Sequence, residues 1–183
     1  MRARELEAAL AALGFGGRLI RYEVADQGAV FALPSIVERL QTDLSGVELV
    51  VTHPYEGGHP DHDAVACAVA RAVAGMARPP AVVEFACYAR FAGERVWGRF
   101  VEDAGCPERV RALDAGDAAS VEAALAAHAS QAAVFGPWRP SHERWRAAPA
   151  HDFTTPPKAE ACLYDGFGWT LTSAKWREAA AWA

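Results

Sequence analysis

Residues 47–76 read VELVVTHPYEGGHPDHDAVACAVARAVAGM, and this stretch decides the fold class. The run 47–52 is short and apolar, which is typical of a strand buried on both faces of a parallel sheet. The run 63–76 is apolar except at Asp63 and Arg71, so it predicts a buried helix. A buried strand, a loop and a buried helix in this order indicate an α/β fold with a parallel sheet.

The rest of the chain extends this pattern in both directions. Apolar residues at helical spacing predict further helices at residues 2–13, 34–44, 118–133 and 173–182. Alternating or apolar runs predict strands at residues 18–24, 81–88 and 95–101, the last two as a hairpin. The final fifty residues hold most of the tryptophans and little periodicity before the last helix. We therefore expect a single α/β domain, 1–183, with a mainly parallel sheet and a loop-rich, Trp-rich C-terminal region.

Composition narrows the classes of function. The 183 residues are 52% hydrophobic and 22% charged, values typical of one globular domain. The net charge of −5 offers no basic field for a phosphate backbone, so we expect no nucleic-acid partner. No run of 18 apolar residues and no signal peptide occur, and the four cysteines form no C-x-x-C pair. These features predict no membrane contact, free thiols and a cytoplasmic protein.

The loop between the strand and the helix, residues 53–63, carries the chemistry. It holds three of the six histidines, His53, His59 and His62, together with several carboxylates. It follows the carboxyl end of a predicted parallel strand, where open α/β sheets bind their ligands. Turn formation and helix capping also explain His, Asp and Gly in loops. Because so many such residues occur at this point in the fold, we favour a functional site.

The segment EGGHPDHDAV, residues 56–65, strongly resembles the second signature motif of the LmbE/PIG-L family of zinc-dependent N-deacetylases. The opening helix, residues 2–14, looks like the helix after the family's first motif, and residues 26–28 look like its next active-site loop. The DFTTPP and FGW segments resemble the tail of a bacterial subgroup. The resemblance implies a Rossmann-like three-layer fold. It also implies a zinc-dependent hydrolase that deacetylates an N-acetylglucosamine-type sugar or a related glycoconjugate.

The resemblance also implies roles for individual residues. His62 matches the family's zinc-ligand histidine. His59 matches a catalytic histidine that polarises the amide carbonyl or acts as an acid near the leaving amine, and Asp61 matches the residue that orients it. Arg2 and Asp26 resemble substrate-binding residues. A frayed terminal residue explains Arg2 equally well, and a turn former explains Asp26.

One family signature is missing. A His-Pro-Asp-Asp motif supplies the family with two further zinc ligands and the general base, but the only His-Pro pairs here begin at His53 and His59. The chain also opens on a helix, so we expect a family member without its first βα unit. Such a chain would bind zinc weakly and show no detectable deacetylation. It would also aggregate, or else cover an exposed sheet edge by forming homo-oligomers. The alternative is a catalytically incompetent remnant or a carbohydrate-binding protein. His53 or Glu56 could also replace the missing zinc ligands.

Overall fold

The protein, described here by a computed structural model over residues 2–100, 105–136, 138–158 and 160–181, has a mixed α/β fold. The α/β class is therefore confirmed. The chain divides into two compact units. The smaller comprises Met1–Arg21 and Val110–Glu143, and the larger comprises Tyr22–Arg109 and Arg144–Ala183. Among the described residues, no helix has the length and apolar character needed to cross a membrane.

The strand–loop–helix segment predicted from residues 47–76 is present in the larger unit. Strand β1 spans Leu49–Thr52, helix α3 spans Pro60–Ala74, and strand β2 spans Ala81–Phe85. The two strands are parallel, with Leu49 opposite Ala81. This β1–α3–β2 arrangement leaves the loop 53–59 at the carboxyl end of β1, as the sequence predicts.

The sheet as a whole is mixed. Its order is β1–β2–β6–β5, where β5 is Arg109–Ala112 and β6 is His142–Ala147. Strand β6 runs antiparallel to β2, so the predicted mainly parallel sheet is limited here to the β1–β2 pair. The predicted burial of β1 on both faces is wrong. Leu49 and Val51 are 54% and 60% exposed, because β1 is an edge strand with only one face covered.

The predicted strand 81–88 is broken in two. Strand β2 ends at Phe85, and a separate strand β3, Tyr88–Phe91, pairs with β4, Glu94–Trp97, in a hairpin. Ala92 and Gly93 both have positive φ, as a tight two-residue turn requires. Of the predicted partner strand 95–101, residues 95–97 lie in β4, and its last residue lies outside the described residues.

The predicted strand at residues 18–24 is absent, and side chains hold this segment instead. Arg21 pairs with Glu7 at 2.9 Å in the smaller unit. In the larger unit, the Tyr22 hydroxyl donates to Asp43 at 2.7 Å, and the Arg39 guanidinium lies 4.2 Å from the centre of the Tyr22 ring. Alternation alone does not supply a neighbouring strand, so the backbone forms no ladder here.

Helices of the larger unit pack around a buried core. Helix α2 spans Leu33–Asp43, after a 3₁₀ turn at Ala29–Ala32, and helix α6 spans Ser173–Ala181. Trp176 of α6 is fully buried, and its indole N–H donates to the Pro60 carbonyl at 2.9 Å. This contact fixes the first turn of α3, where the candidate site begins. A further 3₁₀ turn spans Leu163–Gly166.

The smaller unit is mainly helical, although most of β5 also belongs to it. It contains α1 (Arg2–Ala12), α4 (Ala115–Ala127), a 3₁₀ turn at Ala129–Gln131, and α5 (Ala132–Phe135). Glu5 of α1 accepts hydrogen bonds from the backbone N–H and hydroxyl of Ser130. Helix α4 begins three residues earlier than predicted, because Asp114 and Asp117 form a capping box. All four cysteines of the chain are free, as predicted.

Candidate metal centre and active site

His59 lies at the start of the site, where it is the N-cap of helix α3. Its backbone is extended, with φ −140° and ψ 139°, as the following Pro60 requires. Its Nδ1 accepts a hydrogen bond from the backbone N–H of Asp61 at 3.2 Å. A ring nitrogen that accepts carries no proton, so the neutral imidazole of His59 has its proton on Nε2.

A buried carboxylate shapes the loop before α3. Asp63 is fully buried, and its Oδ1 accepts from the backbone N–H groups of Glu56 and Gly57 at 3.2 and 3.0 Å. The Tyr164 hydroxyl donates to its other oxygen at 3.2 Å. Burial raises the pKa of Asp63 to about 7, although these hydrogen bonds oppose the shift. Asp63 therefore acts on the shape of the loop.

The two loop glycines allow close packing against other segments. A Cβ at Gly58 would lie 1.9 Å from the Tyr88 carbonyl oxygen, and Gly57 has φ +71°. The Tyr88 N–H in turn donates to the Glu56 carboxylate at 2.9 Å. Glu56 is only 4% exposed, and burial raises its pKa well above the usual value. Its second oxygen has no hydrogen-bond partner among the described residues.

Three imidazoles lie together beyond this turn. The rings of His53 and His62 stack with their centres 4.0 Å apart and an angle of 8° between their planes. The ring centres of His59 and His62 are 5.3 Å apart. Burial, followed by the charge of His59, lowers the pKa of His53 to about 4. Burial and the two neighbouring histidines lower the pKa of His62 far below its usual value, so both rings are neutral near pH 7.

A thiol completes this cluster. The Sγ of Cys87, which lies between β2 and β3, is 3.8 Å from Nδ1 of His62. One ligand atom from each of His53, His62 and Cys87 lies within 4.8 Å of the others, so the group could hold a metal ion. Burial raises the pKa of the Cys87 thiol to about 12, so in the absence of a cation it is protonated. Two imidazoles and a cysteine sulfur are donors that zinc accepts.

A second group is richer in carboxylates. Ligand atoms of Asp26, His59 and Asp61 also lie within 4.8 Å of one another. The Asp61 carboxylate accepts from the backbone N–H groups of Gln27 and Ala29, at 2.7 and 3.1 Å. Asp61 therefore holds the 26–29 segment beside the start of α3. The hydrogen bond between Asp61 and His59 is donated by the backbone N–H of Asp61.

The structure brings four of the five predicted site residues together in the larger unit: His59, Asp61, His62 and Asp26. The fifth, Arg2, is exposed in helix α1 of the smaller unit. The sequence leaves His53 as an open alternative and includes Trp169 only in the FGW segment of the resemblance, and it does not indicate Cys87. The Trp169 ring lies with its centre 5.3 Å from that of His59. No local pattern marks Cys87, because it reaches the site from a distant part of the chain.

Comparison with protein-family models, with curated proteins and with solved structures returned no match. The resemblance to the LmbE/PIG-L deacetylases therefore rests on the residues of the chain itself.

Proposed function

We propose that this protein is a zinc-dependent hydrolase that removes the acetyl group from an N-acetylglucosamine-type sugar or a related glycoconjugate. The observation that carries the proposal is the placement of His59 and His62 side by side, with ring centres 5.3 Å apart at the carboxyl end of β1. The parallel β1–α3–β2 unit supports a Rossmann-like frame, and four free cysteines support a cytoplasmic location.

In this proposal, His62 is a zinc ligand. Its neutral imidazole sits among donors that zinc accepts, His53 and Cys87. Bound zinc would polarise the acetyl carbonyl and lower the pKa of a water molecule.

His59 supplies a proton-bearing nitrogen to the reaction. Because its Nδ1 accepts from the Asp61 N–H, its Nε2 carries the hydrogen. This N–H can donate to the oxygen of the amide or to the departing amine. The backbone of Asp61 orients the ring, and the Asp61 carboxylate secures the neighbouring 26–29 segment.

The substrate would contact the residues around His59. The Asp26 carboxylate is exposed beside His59 and can accept hydrogen bonds from sugar hydroxyls. Trp169 adds an aromatic surface next to the same imidazole, against which the apolar face of a sugar ring can pack.

The test measures amine release from an N-acetylglucosaminide by the zinc-loaded protein. We expect turnover, and we expect His59→Ala to lower kcat by roughly 10²–10³ while zinc remains bound. His142→Ala removes an exposed histidine of the smaller unit and should leave kcat unchanged. Stoichiometric zinc without any amine release would contradict the proposal.

A carbohydrate-binding protein without catalysis is the second candidate. The absence from the sequence of the His-Pro-Asp-Asp motif, with the family's general base, favours it. Isothermal titration with the same sugar separates the two candidates. Heat of binding without amine release would favour the binding protein, and Trp169→Ala should then weaken the binding.

A further inference from the structure

We infer that His53, His62 and Cys87 are the protein ligands of the zinc site. The inference rests on the proposed function for the role of the metal. It goes beyond that proposal because it names an imidazole and a thiol that the resemblance does not supply. It also accounts for a zinc site in a chain whose sequence offers only one of the family's three ligands.

Distances within the cluster suit one tetrahedral ion. Zinc binds nitrogen and sulfur at about 2.0–2.3 Å, which places tetrahedral N and S ligands roughly 3.6 Å apart. The observed distance from Cys87 Sγ to His62 Nδ1 is 3.8 Å. All three ligand atoms lie within 4.8 Å of one another, so only small shifts are needed to reach one ion.

An unsatisfied buried nitrogen independently points to a ligand here. Nδ1 of His53 is inaccessible to solvent and has no hydrogen-bond partner among the described residues. Buried polar groups in proteins are almost always hydrogen-bonded, so such an atom indicates an additional binding partner. The ring itself is held in place by His62 on one side and by Phe85, whose ring centre is 4.9 Å away.

Donor chemistry favours this group over its neighbour. Two imidazoles and a thiolate suit zinc, and zinc with three protein ligands keeps a position for substrate or water. In the other group, both Asp61 oxygens already accept backbone hydrogen bonds from residues 27 and 29. A metal bound there would share these oxygens with the two backbone N–H groups. A set with two carboxylates also suits Mg²⁺, Ca²⁺ or Mn²⁺ more than zinc, so the Asp26–His59–Asp61 group is the weaker candidate for zinc.

Cobalt titration of the metal-free protein tests the ligand set, with Co²⁺ as a spectroscopic replacement for zinc. One equivalent should produce thiolate-to-cobalt charge-transfer absorption that zinc abolishes. Cys87→Ser should eliminate this absorption. Both Cys87→Ser and His53→Ala should weaken zinc binding at least tenfold by isothermal titration. Cys106→Ser, which changes a half-buried thiol outside the cluster, should have no effect.

Alkylation of the unaltered protein provides a measurement that does not depend on variants folding. Zinc should slow iodoacetamide modification of Cys87, followed by mass spectrometry, and should leave Cys106 unchanged. Equal rates at Cys87 with and without zinc would overturn the inference. So would a cobalt spectrum that persists in Cys87→Ser and is lost in Asp26→Ala.

The outcomes separate this inference from the proposed function. Charge-transfer absorption and protection of Cys87 without amine release would leave the ligand set standing and reject the hydrolase. Amine release together with unchanged zinc affinity in folded Cys87→Ser would support the hydrolase and reject the ligand set.

Discussion

Asp63 and His62 are adjacent in sequence but act in different ways. The His62 ring stacks on His53 in the candidate metal centre, whereas the Asp63 carboxylate turns inward and is fully buried. Its hydrogen bonds reach the backbone of Glu56 and Gly57, on the other side of the glycine turn. A loop dense in His and Asp therefore mixes residues that offer donor atoms with one that maintains the loop.

Gly58→Ala tests how tightly this loop packs. The added Cβ would lie 1.9 Å from the Tyr88 carbonyl oxygen, so the loop or strand β3 must move. We expect a loss of roughly 1–3 kcal/mol in the free energy of unfolding, measured by urea denaturation. Gly16→Ala is the control, since nothing lies within 4 Å of the position that its Cβ would take. An unchanged urea midpoint for Gly58→Ala would contradict the packing argument.

The identities of the site residues were partly predictable. The loop sequence marks His59, Asp61 and His62, because these residue types cluster after an apolar strand. It does not mark Cys87, which is 25 positions from His62 and lies in what reads as a continuous strand. The break between β2 and β3 places that thiol, and the break depends on tertiary packing around Glu56 and Tyr88.

At the scale of elements, the helices were easier to predict than the strands. Helices α2 and α6 begin within one residue of their predicted starts, because apolar spacing and local backbone preferences act within the segment. Strand β6 was missed, and residues 18–24 were wrongly assigned as a strand. A strand needs a partner, and β6 lies between β5 and β2, the latter about sixty residues earlier in the chain.

Because β1 lies at the edge of the sheet, we expect the protein to self-associate through this strand. One of its backbone edges pairs with β2, and Leu49 and Val51 expose more than half of their side-chain surface. An exposed apolar edge strand is a template for pairing with another chain. We expect Val51→Lys to reduce self-association, measured by sedimentation velocity over a range of protein concentrations.

Val134→Lys makes the same substitution at an exposed valine of helix α5 in the smaller unit, and is the matched control. It should leave the sedimentation profile of the parent protein unchanged. A parent protein that remains monomeric at every concentration would contradict the role of the β1 edge.

At the scale of the whole molecule, the sequence predicts the α/β class but not the mixed sheet. The C-terminal region, expected to be loop-rich, does supply long irregular segments and aromatic residues such as Trp169. It also contains strand β6, which runs antiparallel to β2 and extends the sheet beyond its parallel pair. Hydrophobic patterns report the burial of a segment, and they do not specify which distant segment lies beside it.

A buried ion pair joins these two strands. Glu84 of β2 lies directly opposite Arg146 of β6, and their side chains are 3.1 Å apart at 1% and 5% exposure. The Arg146 guanidinium also lies 4.1 Å from the centre of the Phe100 ring. His151 contacts the second Glu84 oxygen through Nε2. One Glu84 oxygen accepts a hydrogen bond from Arg146, and the other contacts His151. Glu84 therefore links the parallel β1–α3–β2 unit to β6 and the segment that follows it.

Arg146→Met should therefore be strongly destabilising. It keeps an apolar side chain beside Phe100 but leaves the Glu84 carboxylate buried without its guanidinium partner. We expect a loss of about 3–5 kcal/mol in the free energy of unfolding, measured by urea denaturation. The double variant Glu84→Leu/Arg146→Met removes both members of the pair, and it should recover most of this loss because neither is left buried without its partner. If the double variant is as unstable as Arg146→Met alone, side-chain packing at residue 146 and not charge pairing determines how β2 and β6 are held together.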